Sequence, residues 1–88
     1  FLGKEFIQLS NGGVKLIKIV PMSVYPEHLH PDKTEYAYVV SGNPEFSIDN
    51  EYFIGKSGDF FIFPCNVKHS IKSNTVVECL VLIGSINN

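Results

Sequence analysis

Every histidine in this chain falls into one pattern with a glutamate and several glycines. The first half of the pattern reads His28-x-His30-x4-Glu35-x6-Gly42, the second Gly58-x5-Pro64-x4-His69. Neutral imidazole and carboxylate are ligand types for a divalent transition metal. All three histidines are used, so none is left over as an ordinary surface or core residue. An H-x-H pair alone is a weak signal, and a lone inward histidine is more often a hydrogen-bonded core residue. An acidic residue at the start of a strand is usually solvated. The four together, with two glycine-turn elements, point to a metal site at His28, His30, Glu35 and His69.

The elements that must position these groups are strands. Nowhere do apolar residues recur at i, i+3, i+4 and i+7 over three turns. Instead, short runs rich in Val, Ile, Phe and Tyr are punctuated by turn residues. The expected strands are Lys4–Leu9, Val14–Val20, Ser23–His28, Glu35–Ser41, Glu45–Asp49, Tyr52–Ile54, Phe60–Phe63, Val67–Lys72 and Val76–Ile83. The breaks between them, such as Asn11-Gly12-Gly13, Gly42-Asn43-Pro44, Pro64-Cys65-Asn66 and Ser73-Asn74, hold residues that tolerate positive φ or pre-set a turn. Many short strands with such turns indicate an antiparallel sandwich or barrel.

Alternation along strands assigns faces. His28 and His30 point to one side if both stay extended. Glu35 shares its side with Ala37 and Val39, while Tyr36, Tyr38 and Val40 take the other. His69 goes with Val67 and Ile71. Glu35 and His69 are thus expected among buried apolar residues. An unpaired buried carboxylate is costly, and a metal ion removes that cost.

Size and composition narrow the classes. Eighty-eight residues make one small domain, 1–88, and 44% hydrophobic content fits a compact globular chain. A chain this size buries roughly 60–65% of the surface its unfolded form exposes. Net charge is −2 with a pI of about 5.8. The basic residues are all lysines, spread singly, which argues against nucleic acid as a partner. No apolar run approaches a membrane span, Leu80–Ile83 being typical. Phe1-Leu2-Gly3-Lys4-Glu5 does not read as a signal peptide. The chain opens on Phe1 rather than Met, so missing N-terminal residues are expected. Cys65 and Cys79 read as free thiols of a reducing cytoplasm, with a disulfide or thiolate ligand as the alternative.

These residues resemble the cupin superfamily. Its first motif is G-x5-H-x-H-x3,4-E-x6-G and its second G-x5-P-x-G-x2-H-x3-N. His28, His30, Glu35 and Gly42 match the first; Gly58, Pro64 and His69 match the second. The resemblance spans Met22 to Ser73, and the short segment between motifs, Asn43–Ser57, suits a minimal microbial member. Three positions depart: Met22 and Asn66 stand where glycines would, and Ser73 replaces the final Asn, with Asn74 one place later. None is a ligand position. The resemblance implies an all-β fold, an antiparallel double-stranded β-helix or jelly-roll barrel. It also implies a three-histidine, one-glutamate site in the barrel mouth.

Four protein ligands on an octahedral ion leave two adjacent positions for water, O2 or a bidentate substrate. Nitrogen and oxygen ligation suits Fe, Mn, Ni, Zn or Co. The pocket is expected to be apolar and aromatic, drawn from Phe46, Ile48, Phe61, Phe63, Val67 and Ile71. Parity alone leaves open whether Phe60 and Ile62 or Phe61 and Phe63 face inward. The expected ligand is a small organic acid, ketone or sugar derivative. The leading reading is a small metal-dependent enzyme: an isomerase, lyase, cyclising uronate enzyme or dioxygenase. Acid–base groups are scarce, the candidates being Tyr36, Tyr38, Tyr52, Glu78 and Lys68. A non-catalytic ligand- or metal-sensing module and a purely structural metal are the other readings. Sensory cupins usually carry a DNA-binding domain, and these residues contain none. The run Val76–Ile83 is apolar on both faces after Glu78, which needs cover on both sides. A homodimer through this strand or its sheet is therefore expected, with Lys4–Leu9 contributing; cover by the chain's own N-terminal strands is the alternative.

Overall fold

The computed structural model describes residues 2–73 and 75–88. Phe1 and Asn74 lie outside them, so the turn expected at Ser73-Asn74 is described only in part. Nine strands follow one another with no helix among the described residues. They are β1 (Leu2–Leu9), β2 (Gly12–Ile19), β3 (Val24–His28), β4 (Lys33–Ser41), β5 (Glu45–Ile48), β6 (Glu51–Ile54), β7 (Phe60–Phe63), β8 (His69–Lys72) and β9 (Cys79–Asn87). All the described pairings are antiparallel. Five strands form one sheet in the order β1-β2-β9-β4-β7, and four form the other in the order β3-β8-β5-β6. The result is a jelly-roll barrel.

Alternation decides which side chains fill it. Ile17 and Ile19, Ala37 and Val39, and Cys79, Val81 and Ile83 line the inner face of the larger sheet; Phe46, Ile71 and Tyr25 answer from the smaller. Each fully buried aliphatic or aromatic side chain contributes roughly 1.5–3 kcal/mol relative to exposure. The ambiguity on β7 resolves the same way. Phe63 is buried and Phe61 packs against the core, while Phe60 and Ile62 are exposed.

The last strand differs from expectation. Val76–Glu78 do not join it, and it runs on to Asn87. Local hydrogen bonds explain the late start. Ser73 Oγ donates to the Val77 carbonyl at 2.9 Å, and the Val77 amide donates to Thr75 Oγ1 at 3.2 Å. These groups are satisfied within a bend, so Val76 and Val77 stay exposed outside the ladder. The polar end stays in the ladder because β4 and β2 flank it, pairing Asn87 with Lys33 and Ile86 with Gly12. β8 likewise starts at His69 rather than Val67, whose amide closes a turn on the Pro64 carbonyl at 3.2 Å. β1 pairs with β2 at the sheet edge, so it does not lie over the outward Leu80 and Leu82. No helix among the described residues is long and apolar enough to cross a membrane.

Candidate metal centre

The four residues singled out from the sequence converge, and they come from both sheets. His28 and His69 are direct cross-strand partners on β3 and β8 of the smaller sheet. Glu35 sits on the inner face of β4 in the larger sheet, opposite Phe63 and Ser85. His30 follows β3 in a loop.

That loop is held from the second motif. The Asn66 amide donates to the His30 carbonyl at 2.6 Å, and Cys65 Sγ to the Pro31 carbonyl at 3.0 Å. Asn66 has φ of 65°, and Met22, before β3, has φ of 63°. At both places where the cupin pattern has glycine, this chain keeps the left-handed backbone without it. Asn bears that conformation comfortably; Met carries a steric cost. Gly42 is a glycine by necessity: at φ of 83°, a Cβ there would stand 2.7 Å from the Glu78 carbonyl oxygen.

The geometry tests whether an ion fits. Glu35 Oε1 lies 3.1 Å from His30 Nε2, 3.2 Å from His69 Nε2 and 4.0 Å from His28 Nε2. His28 Nε2 and His69 Nε2 are 3.1 Å apart. Ligands about 2.1 Å from a common ion stand about 3 Å apart when adjacent and about 4.2 Å apart when opposite. All four donor atoms lie within 4.8 Å of one another. Despite the short separations, His30 Nε2 and Glu35 Oε1 are buried and make no well-formed hydrogen bond among the described residues. Two orphaned buried atoms beside one another are costly unless something sits between them. The backbone sets the tautomers. His28 Nδ1 donates to the Pro26 carbonyl at 2.7 Å and His69 Nδ1 to the Val67 carbonyl at 3.3 Å, leaving Nε2 as the free lone pair on each ring. The cluster could hold a metal ion.

Electrostatics agree with that donor set. Burial is the largest influence on Glu35 and pushes its carboxyl up. The contact with His69 and the charges of His30, Lys15 and Lys33 outweigh it and hold the group below its ordinary value. Burial lowers the pKa of His30; Glu35 opposes this, and Lys33, His28 and His69 add to the lowering. A charged carboxylate and neutral imidazoles are the forms that bind metal.

The surroundings correct two expectations. First, the phenylalanines lie on one side of the cluster, against His69. Phe63 stacks on His69 with ring centres 4.2 Å apart and Phe46 lies beyond it, 6.0 Å from Phe63. A cavity of about 210 Å³ borders the cluster at Glu35, and Lys15, Lys33, Gln8 and Ser85 line it together with Ile7, Leu9, Val14 and Ile83. Polar residues reach it because they share the inward parity of buried neighbours. Lys15 alternates with Ile17, and Lys33 with Glu35. Second, none of the five suggested acid–base residues lines this cavity. Tyr36 and Tyr38 are on the outer face, as alternation along β4 placed them, where Tyr36 lies over Gly84; Tyr52, Lys68 and Glu78 are exposed.

Lys15 and Tyr25 are the groups that sequence reasoning missed. Lys15 Nζ donates to Tyr25 Oη at 3.1 Å, and the Tyr25 ring meets His28 edge-on at 5.1 Å. Residues three apart on a regular strand face opposite ways. A register shift between Tyr25 and His28 puts both inside. Lys15 could have been found, because its parity matches Ile17 and Ile19.

No curated protein sequence matches the chain. Among solved structures, TT1209 from Thermus thermophilus is similar with a TM-score of 0.93 at 15% identity, over 98% of this chain and 82% of that one. KdgF from Halomonas sp. is similar with a TM-score of 0.84 at 20% identity, over 98% of this chain and 78% of that one. A putative sugar phosphate isomerase from Acidithiobacillus ferrooxidans gives 0.76 at 28% identity, over 89% of this chain and 51% of that one, so the chain spans about half its length. These likenesses agree with the barrel. The family model for the cupin domain matches residues 15–83, most of the chain, and the chain belongs to the cupin family.

Proposed function

We propose that this cupin is a metal-dependent enzyme acting on a small carbohydrate or organic acid held at His28, His30, Glu35 and His69. One observation carries the reading: His30 Nε2 and Glu35 Oε1 are buried, hydrogen-bond-orphaned and 3.1 Å apart, and Glu35 also lines an open cavity. A divalent ion bound there supplies Lewis-acid polarisation of a substrate oxygen. The chain's own part is to hold the donors and admit the ligand. His69 and Glu35 are almost wholly buried, whereas the side chains of His28 and His30 are 29% and 27% exposed. A purely structural ion would be enclosed on all sides; the cavity beside Glu35 favours a ligand site. Isomerisation is supported by the similarity to a protein called a putative sugar phosphate isomerase. A non-catalytic sensing module shares the same site and is separated from an enzyme by turnover alone.

The test is elemental analysis of protein purified without added metal, followed by turnover assays on sugar phosphates, uronates and hydroxy acids. About one divalent ion per chain is expected, lost in the His28→Ala, His69→Ala double variant. Retention of a full equivalent in that variant refutes the assignment. Metal binding without turnover of any of these substrates supports the sensing module instead. The free thiols of Cys65 and Cys79 support a cytoplasmic setting.

Assembly is part of the same reading: a homodimer through the outer face of the larger sheet. Tyr38, Val40, Phe60 and Ile62 are exposed there, beside half-buried Leu80 and Leu82. Soluble monomers rarely leave so large an apolar patch in water. Light scattering at tens of micromolar should give twice the 9.8 kDa chain mass, and Leu82→Glu should dissociate it; a wild-type monomer refutes it.

A further inference from the structure

Two lysines share the cavity beside the cluster, and neither has a carboxylate partner within ion-pair distance among the described residues. Lys15 is directed by the interior. Its Nζ is held by Tyr25 Oη at 3.1 Å and sits 5.5 Å from the centre of that ring. A neutral hydroxyl fixes the ammonium in place without neutralising it, and two of its three protons stay free. Lys33 starts β4 on the same inward side as Glu35. Both lie close enough to Glu35 to act on its carboxylate electrostatically. The cavity holds one further carboxylate, Glu5. It is the register partner of Lys15, but it is exposed and pairs with neither lysine. With a divalent ion at the cluster, the positive groups exceed Glu5 and Glu35 together by two charges. With Lys15 fixed, Lys33 on the same inward side and neither ion-paired among the described residues, the cavity lacks only a negatively charged ligand.

We propose that Lys15 and Lys33 form an anion subsite. It takes a second carboxylate or a phosphate of a small hydroxy acid whose 2-hydroxycarboxylate end lies at the ion. The proposal rests on the metal reading above, and it narrows the substrate class from small polar molecules to doubly anionic ones. The cavity of about 210 Å³ suits such a ligand, having room for about seven waters. Gln8 and Ser85 supply neutral donors at its wall.

The experiment uses the Zn(II)-loaded chain and three probes that share one chelating end. Glycolate has no second anion, malate adds a carboxylate and 3-phosphoglycerate adds a phosphate. Calorimetry should show malate or 3-phosphoglycerate binding about 10-fold or more tighter than glycolate, the worth of charge-assisted hydrogen bonds. Whichever wins identifies the anion. Lys15→Gln and Lys33→Gln should each bring that ratio towards one while glycolate affinity and zinc content hold; Lys15→Arg should keep it. A lysine that merely props the fold would weaken all three probes alike. Equal affinity of the wild-type chain for the three probes overturns the subsite, as does a ratio unchanged in both glutamine variants. If the chain takes up no ion, the metal reading fails separately. The lysines are then read on the ion-free chain, where malate or 3-phosphoglycerate binding that both glutamine variants lose supports the subsite and no binding overturns it.

Discussion

The barrel interior has two halves that meet at the histidine–glutamate cluster, and they are built on opposite principles. On one side Phe63 stacks on His69, and Phe46, Ile71, Val39 and Val81 fill the space behind with no exposed surface to speak of. On the other, Lys15, Lys33, Gln8 and Ser85 face a cavity at Glu35. The dry half contributes stability and fixes the rings. The wet half contributes little stability and leaves charged groups available. The ligands divide in the same way. Buried His69 belongs to the dry half, while partly exposed His28 and His30 border solvent. A small barrel can thus hold a costly polar cluster because only one side of it needs to be packed.

Truncation in the dry half should have the largest effect. Phe46 is fully buried and stacks on Phe61 at 4.3 Å, so Phe46→Ala should cost about 3–5 kcal/mol in urea unfolding. A cost under about 1 kcal/mol would mean that this half is not the stabilising one.

Acid should act at the border between the halves. The folded-state pKa of His30 lies below its ordinary 6.5 and that of Glu35 below its ordinary 4.5. Folding therefore favours neutral His30 and charged Glu35. For His30 that contribution is whole above pH 6.5 and is lost as pH falls through the lower folded value. For Glu35 it is whole above pH 4.5 and lost below the folded value in the same manner. Ion retention should fall along the same course, about tenfold per pH unit for each histidine that must shed a proton. Dialysis against buffers from neutral to acidic pH, followed by elemental analysis, reads this directly. Undiminished metal content well below the imidazole range would show that the histidines are not ligands.

A smaller gain is expected at Met22, exposed and at φ of 63°. Met22→Gly removes the left-handed penalty of roughly 1–2 kcal/mol but adds unfolded-state entropy. A net stabilisation of up to about 1 kcal/mol should appear as a higher Tm. A loss would show that the Met22 side chain makes a contact worth more than the strain.

The smallest effect belongs to the wet half. Ser85→Ala, at the cavity wall, should change stability by no more than about 0.5 kcal/mol. A cost comparable to Phe46→Ala would erase the contrast between the two halves.

Much of this was legible before the fold. Alternation and turn residues are local properties, so all nine strands could be located, and Glu35, Ala37 and Val39 were placed on one buried face. The ends of β8 and β9 were not legible. They depend on whether an amide finds a ladder partner or a nearer acceptor, as Val67 and Val77 do. The four candidate ligands stood out because every histidine falls at cupin spacing. What the chain determined alone, then, was the strand pattern, the family resemblance and the four donor residues, since each follows from neighbours along the chain. Tertiary structure decided the rest. It turned Tyr25 inward beside His28 through a register shift, pinned the His30 loop to Asn66, and set Lys15 and Lys33 at one cavity. Those relations join residues far apart in sequence or depend on one strand slipping against another, and no local pattern carries them.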